Sequence, residues 1–306
     1  MNFLNTFSAV AIMLLYALPG WLLIKFKKIK PEAIPAFAKM LLFALQPAQT
    51  VYSFMRVEFS WELLANIGLF FATVTLLMGV ILLGIYAIVG SKRRTDELRI
   101  LNMACCFGNV SFLGIPLVEA VLPQYPHATV YCIAFSLAMN CIGWTLGAFV
   151  LTGDKTYMAP KKIVLNPGFL SAAVAIPMFI AQVQLPEKLL DGITVFGKMT
   201  TPMCMLILGM RLATVPFKEV FGNGKQYLAV AFKQLCLPLI ALVMVKLFPM
   251  DEAFESALYL LCCCPVASFV LNLAEIFGKG QKTAANTALL GTMSSIITLP
   301  IMSLLL

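Results

Sequence analysis

The chain has 306 residues, of which 61% are hydrophobic and only 12% charged, with a formal net charge of +8. Soluble domains carry about 25% charged residues, so this balance excludes a soluble globular protein. Apolar runs of the length that crosses a bilayer as a helix, about 20 residues, fill most of the chain and predict an all-α polytopic membrane protein.

Taken in chain order, the apolar runs predict ten transmembrane helices near 3–24, 35–55, 63–89, 101–122, 127–151, 168–184, 192–213, 227–248, 255–277 and 283–305. The first begins Met1-Asn-Phe-Leu-Asn-Thr-Phe7, with no positive region ahead of the apolar stretch and lysines after it. It reads as a retained span rather than a signal peptide. Pro177 interrupts the sixth, and Lys198 and Pro202 the seventh. The longest connection, near 152–167, leaves no room for a nucleotide-binding domain, so the chain carries no ATP-driven motor of its own.

Charge alternates between the connections. Lys25 to Lys30, Lys92 to Arg99, Lys155 with Lys161 and Lys162, Arg211 with Lys218 and Lys225, and Lys279 with Lys282 fall on one side. The opposite side holds little beyond Arg56, Lys188 and Lys246, and one of its loops, Asp251 to Glu255, is acidic. The positive-inside rule then places the basic loops in the cytoplasm and both termini outside. The +8 charge is this bias, and no aromatic-basic interleave points to nucleic acid.

The nine cysteines all lie inside apolar runs, without the loop placement of a disulfide framework or the paired spacing of a zinc site. Cys262, Cys263 and Cys264 read as small, polarizable packing residues, and no metal is expected. The lone His127 sits in a Tyr-Pro-His loop and reads as interfacial. No Ser/His/Asp arrangement, paired catalytic aspartates or zinc-protease motif is present, so an enzyme is not expected.

Two spans are unlike the rest. The fourth contains Phe107-Gly-Asn-Val-Ser-Phe-Leu-Gly-Ile-Pro-Leu117, and the ninth Leu261-Cys-Cys-Cys-Pro-Val-Ala-Ser268, followed by Asn272 and Glu275. They occupy matching places in two halves. Pro31-Glu32 with Phe37-Ala-Lys-Met40 matches Pro186-Glu187 with Phe196-Gly-Lys-Met199, and Ser111-Phe112 matches Ser268-Phe269 at nearly the same offset. This spacing predicts two five-helix repeats, 1–152 and 163–306. Five being odd, the second enters the membrane from the opposite side, the inverted-repeat plan of secondary transporters.

Gly108, Gly114, Pro116 and Pro265 are read as the helix breaks, with unwound backbone near 108–116 and 264–268. Backbone groups freed there find no partner in lipid. Asn109 and Ser111 in the fourth span, and Ser268 and Asn272 in the ninth, stand beside the breaks and are the candidate substrate- or ion-binding residues. Ser268 and Asn272, four apart, share one helical face. The bland alternative is a pair of proline kinks whose Asn and Ser bond neighbouring helices. Half-helix N-termini suit a carboxylate, and C-termini a cation. Glu119 and Glu275 are intramembrane carboxylates and candidates for ion coupling; Lys279 offers Glu275 a helix-end partner. Gln46 and Gln49 of the second span, and Thr200 and Thr201 of the seventh, are polar enough to face a cavity. Lys39 and Lys198 read as snorkelling side chains.

These residues carry a resemblance. The stretch 107–117 resembles the signature of the auxin efflux carrier family in its compact bacterial permease form. Pro265, Leu273-Ala-Glu-Ile-Phe-Gly278 and Thr292-Met-Ser-Ser-Ile-Ile-Thr-Leu-Pro300 are similar to that family's last two spans. The resemblance implies ten helices with spans 4 and 9 crossed at their breaks, spans 1, 2, 6 and 7 as scaffold, and spans 3–5 and 8–10 as a mobile transport core. It implies a secondary carrier of a small organic anion, auxin-like or malate- or malonate-like, in the bacterial inner membrane. Transport would follow elevator-like alternating access, with no cofactor, a coupling ion (H+ or Na+) left open, and a homodimer as an open arrangement. Val266 stands at the position equivalent to Asn109, a departure from symmetric ligation. A sodium-coupled bile-acid-type symporter and a non-transporting receptor remain as rival readings.

Overall fold

A computed structural model describes residues 7–8, 11–12, 15–90, 95–158, 167–214, 220–248 and 250–305. Among them there are helices and no strand. Among the described residues, five helices are long and apolar enough to cross a membrane: Trp61–Val89, Ala128–Thr152, Glu187–Thr214, Gly224–Leu247 and Gln281–Leu305.

In chain order the helices are α1 (Ala17–Lys25), α2 (Ile34–Met40), α3 (Gln46–Met55), α4 (Trp61–Val89), α5 (Asp96–Cys106), α6 (Ile115–Val121), α7 (Ala128–Thr152), α8 (Pro167–Ile180), α9 (Glu187–Thr214), α10 (Gly224–Leu247), α11 (Glu252–Cys263), α12 (Ser268–Phe277) and α13 (Gln281–Leu305). Ser60, Thr95, Asn223 and Asp251 cap α4, α5, α10 and α11 with side-chain oxygens, accepting amide protons that a helix start leaves unpaired.

Among the described residues, four π-helical turns widen the helices, at Leu41–Leu45, Val110–Gly114, Gly143–Gly147 and Phe232–Cys236. Three of them run directly into Ile/Leu/Gln-Pro pairs, ahead of Pro47, Pro116 and Pro238. A helical proline offers no N–H and its ring crowds the carbonyl four residues back. A wider turn relieves that crowding without ending the helix. Pro116 is therefore not part of an unwound segment, as the sequence alone suggests. It sits in the first turn of α6 and sets the π turn before it. Within the fourth and ninth spans, unwound backbone is confined to Phe107–Asn109 and to 264–267.

Packing divides the helices into two groups. In one, α1 lies along α9, and α3 packs against α8 and α9. Gly20 and Gly209 allow the α1 and α9 backbones to touch, since a Cβ on either would run into the facing carbonyl, of Leu206 or Ala17. Such small-residue contacts replace the hydrophobic drive that lipid removes. In the other group α4 packs on α7, α10 on α13, α5 on α4, α10 and α13, and α11 on α7 and α10.

The connections gather by charge. At one end Lys225 Nζ pairs with Glu97 at 3.2 Å, the Asn223 amide donates to Glu97 at 2.6 Å, and Arg99 donates to the Leu151 carbonyl at 2.8 Å. At the other, the Asn66 amide and Tyr131 hydroxyl donate to Asp251 at 3.1 and 3.2 Å, and Tyr125 donates to Glu252. The basic residues 92–94, 161, 162 and 218 lie outside the described residues. Glu97 is held below the usual carboxylate range, first by the Asn223 hydrogen bond, with Lys225 adding to it against the opposing effect of burial. A depressed carboxylate contributes stability above its unfolded pKa and loses it as pH falls through the folded value.

Gly209→Ala is expected to force α1 off α9 and to lower stability by about 1–3 kcal/mol, the usual cost of overpacking. Thermal unfolding in detergent reads this, and an unchanged midpoint would show that the close contact does not hold the two helices.

Candidate functional site

The two unwound segments meet. Gly108 and Val266 pair as a short antiparallel bridge. The Asn109 N–H donates to the Pro265 carbonyl at 2.7 Å, and the Ala267 N–H donates to the Phe107 carbonyl at 2.9 Å. Groups freed by one break are satisfied by the other, which is what an apolar surrounding demands. Neither Gly108 nor Gly114 has a positive φ. Their glycine serves space instead: a Cβ at 108 would sit 3.1 Å from Lys233 Nζ, and one at 114 would sit 2.7 Å from the Leu261 side chain.

Four helix ends converge here. The chain after Asn109 and helix α12 after Ala267 both begin at the meeting point, so two N-terminal ends bring free amides and partial positive charge to it. Beside them lies a cavity of about 110 Å³ lined by Asn109, Ser268 and Asn272, with Arg211 and Thr214 from the end of α9 and Ile34, Ala38 and Leu41 from α2 and its π turn. Asn109 is 4% exposed. Among the described residues, the side chains of Asn109, Ser268, Asn272 and Arg211 have no hydrogen-bond or ion-pair partner within the chain. Polar groups held that way in an apolar protein are free to bind a ligand.

The other sequence candidates are placed elsewhere. Ser111 hydrogen-bonds Ser136 and lines a space of about 20 Å³ with Gln46, Gln49, Thr50 and Asn140. The π turn after Asn109 carries Ser111 to this different face. Thr200 is fully buried and its hydroxyl has no hydrogen-bond partner; neither it nor Thr201 lines any of these cavities. Glu119 is exposed, 3.9 Å from Arg56, and shares a larger cavity of about 420 Å³ with Arg56, Lys198 and Tyr52 at the acidic-loop end. Lys198 Nζ lies 5.9 Å from the Tyr52 ring centroid. The Glu275 side chain lies outside what the structure describes.

Two cations were not among the sequence candidates. Arg211 reads as a loop charge because it stands in the last turn of α9. Lys233 lies inside the apolar run 227–248, and its signal was the plain one of a charge in mid-span. It is fully buried.

A sequence profile of the membrane transport protein family matches residues 5–303. The chain belongs to the auxin efflux carrier family. It is a multi-pass membrane protein of a family whose members are transporters rather than enzymes. A search of curated proteins gave no match. Within this auxin efflux carrier fold, the meeting of the two breaks is where backbone polarity, unpartnered amides and a cavity coincide.

If the cavity is the polar centre of the carrier, Asn272→Leu should close it, leaving the fold intact while weakening the apparent affinity read from thermal stabilisation by small carboxylates roughly five- to 150-fold. That follows from losing a half-buried polar contact worth about 1–3 kcal/mol. Unchanged affinity would move the ligand elsewhere.

Proposed function

We propose that this carrier moves a small organic anion, a mono- or dicarboxylate, by elevator-like alternating access. The observation that carries the reading is the cavity beside the two breaks. There the unpartnered side chains of Asn109, Ser268 and Asn272 stand with two helix N-terminal ends and the Arg211 guanidinium. Helix N-termini and a guanidinium fork are the groups that recognise a carboxylate. A cavity of about 110 Å³ is well below the roughly 300–1,000 Å³ of pockets for drug-sized ligands. It favours a short aliphatic acid of the malonate or malate type over an indole-sized one.

The ten-span, inverted-repeat reading is supported by the packing pattern. Exchanging spans 1–5 for 6–10 turns the α3–α8 contact, between spans 2 and 6, into α1–α9, between spans 1 and 7. It likewise turns α4–α7 into α10–α13, α5–α13 into α11–α7, and α5–α4 into α11–α10. Units 1–152 and 163–306 would then be the repeats. Spans 1, 2, 6 and 7 would be the scaffold, with spans 3–5 and 8–10 the moving core. The cavity is lined from both groups, as a site that travels with the core along the scaffold requires. We place the basic-loop end in the cytoplasm and both termini outside.

Uptake of malonate, malate and indole-3-acetate into proteoliposomes tests this. A short dicarboxylate should be transported. Arg211→Gln and Asn109→Ala should each reduce uptake roughly five- to 150-fold, as loss of a charge-assisted or buried hydrogen bond of about 1–3 kcal/mol implies. Full uptake by both variants would contradict the site. External labelling of a cysteine placed at Lys282 would contradict the orientation.

A further inference from the structure

We propose that the Lys233 ammonium is a tethered cation that occupies, at the carbonyl end of α11, the place a coupling sodium ion would need. The crossing then carries its own countercharge and works without sodium. The helix N-terminal ends at the meeting point face the cavity; the C-terminal ends of α5 and α11 face the other way, toward α10. Carbonyls at such an end are partly negative and lack intrahelical partners. Lys233 Nζ donates to one of them, the Cys262 carbonyl, at 2.7 Å. The same Nζ packs against Gly108, where a Cβ would come within 3.1 Å of it, so one ammonium touches both broken segments.

The π turn Phe232–Cys236 makes this placement possible. It turns two consecutive side chains inward, Lys233 toward the breaks and Gln234 toward α13. There the Gln234 amide donates to the Gly291 carbonyl at 2.6 Å and its oxygen accepts from Ser294 and Thr298. Lys233 is 0% exposed. The ion pairs Arg56–Glu119 and Lys225–Glu97 do not involve it. A buried charge within a membrane span is expensive and marks function by default. Here its compensation is a helix end rather than a carboxylate, which is the environment of a bound monovalent cation. The thiols of Cys106, Cys262, Cys263 and Cys264 neighbour it and offer no competing charge pair.

The transport part of this inference rests on the carrier reading above; its thermal part does not. Purified wild type, Lys233→Gln and Lys233→Met are unfolded thermally in matched sodium chloride and choline chloride. Wild type should be indifferent to the salt, to within about 1 °C. Lys233→Gln should be destabilised in choline and regain about 2 °C or more in sodium, because a vacated cation position binds the free ion and linkage stabilises the fold. Lys233→Met, neutral and of similar length, should be destabilised in both salts. Malonate uptake by wild type should be equal within about twofold with and without sodium, well inside the tenfold that 1.4 kcal/mol represents.

Sodium stabilisation of wild type, or a sodium requirement for its uptake, would overturn the proposal. So would variants as stable as wild type, or a Lys233→Gln loss that sodium does not relieve, which would mark an ordinary structural hydrogen bond. If neither variant can be isolated folded, the wild-type measurements decide. Absence of malonate uptake with the thermal pattern intact would count against the carrier reading and leave the tethered cation standing.

Discussion

Two backbone hydrogen bonds hold this architecture at its centre: Asn109 N–H to Pro265 O and Ala267 N–H to Phe107 O. A helix that stops inside a membrane exposes amides and carbonyls that water cannot reach, each costing several kcal/mol if unpaired. One break alone would be too costly. Two breaks set against each other cancel much of that cost and leave the remaining helix ends pointing in opposite directions.

Among the described residues, that arrangement separates charge without a buried carboxylate pair. The N-terminal ends, with Asn109, Ser268 and Asn272, look into the cavity that Arg211 also lines. The C-terminal ends look toward α10 and are met by Lys233. The anion recognition proposed for one side and the tethered cation proposed for the other would both follow from the same geometry. The surrounding packing is dense: Phe107, Val266, Cys262, Cys263 and Cys264 are all buried. Phe269 presses on Gly143, where a Cβ would collide with its ring, locking α12 to α7.

Much of this was legible in the sequence because glycine, proline, asparagine and serine are out of place in a lipid-crossing run. The location of both breaks and the shared face of Ser268 and Asn272 follow from that alone, α12 being a regular helix with its usual periodicity. Ser111 escaped the same reasoning, since a π turn adds a residue to the helical period and turns its side chain to Ser136. Pro116 looked like a helix breaker, but a wider turn absorbs its ring and the helix continues. Arg211 was hidden by its terminal position. Lys233 stood in plain view within an apolar run, and only packing brings it against segments more than a hundred residues away on one side and about thirty on the other.

The central claim is that the substrate anion binds where the two breaks meet, between scaffold and core. A structure determined with a bromine-substituted short dicarboxylate, located by anomalous scattering, tests it most directly. The account predicts the halogen in the cavity bounded by Asn109, Asn272 and Arg211. A ligand seated instead between Arg56 and Lys198, with that cavity empty, would contradict it.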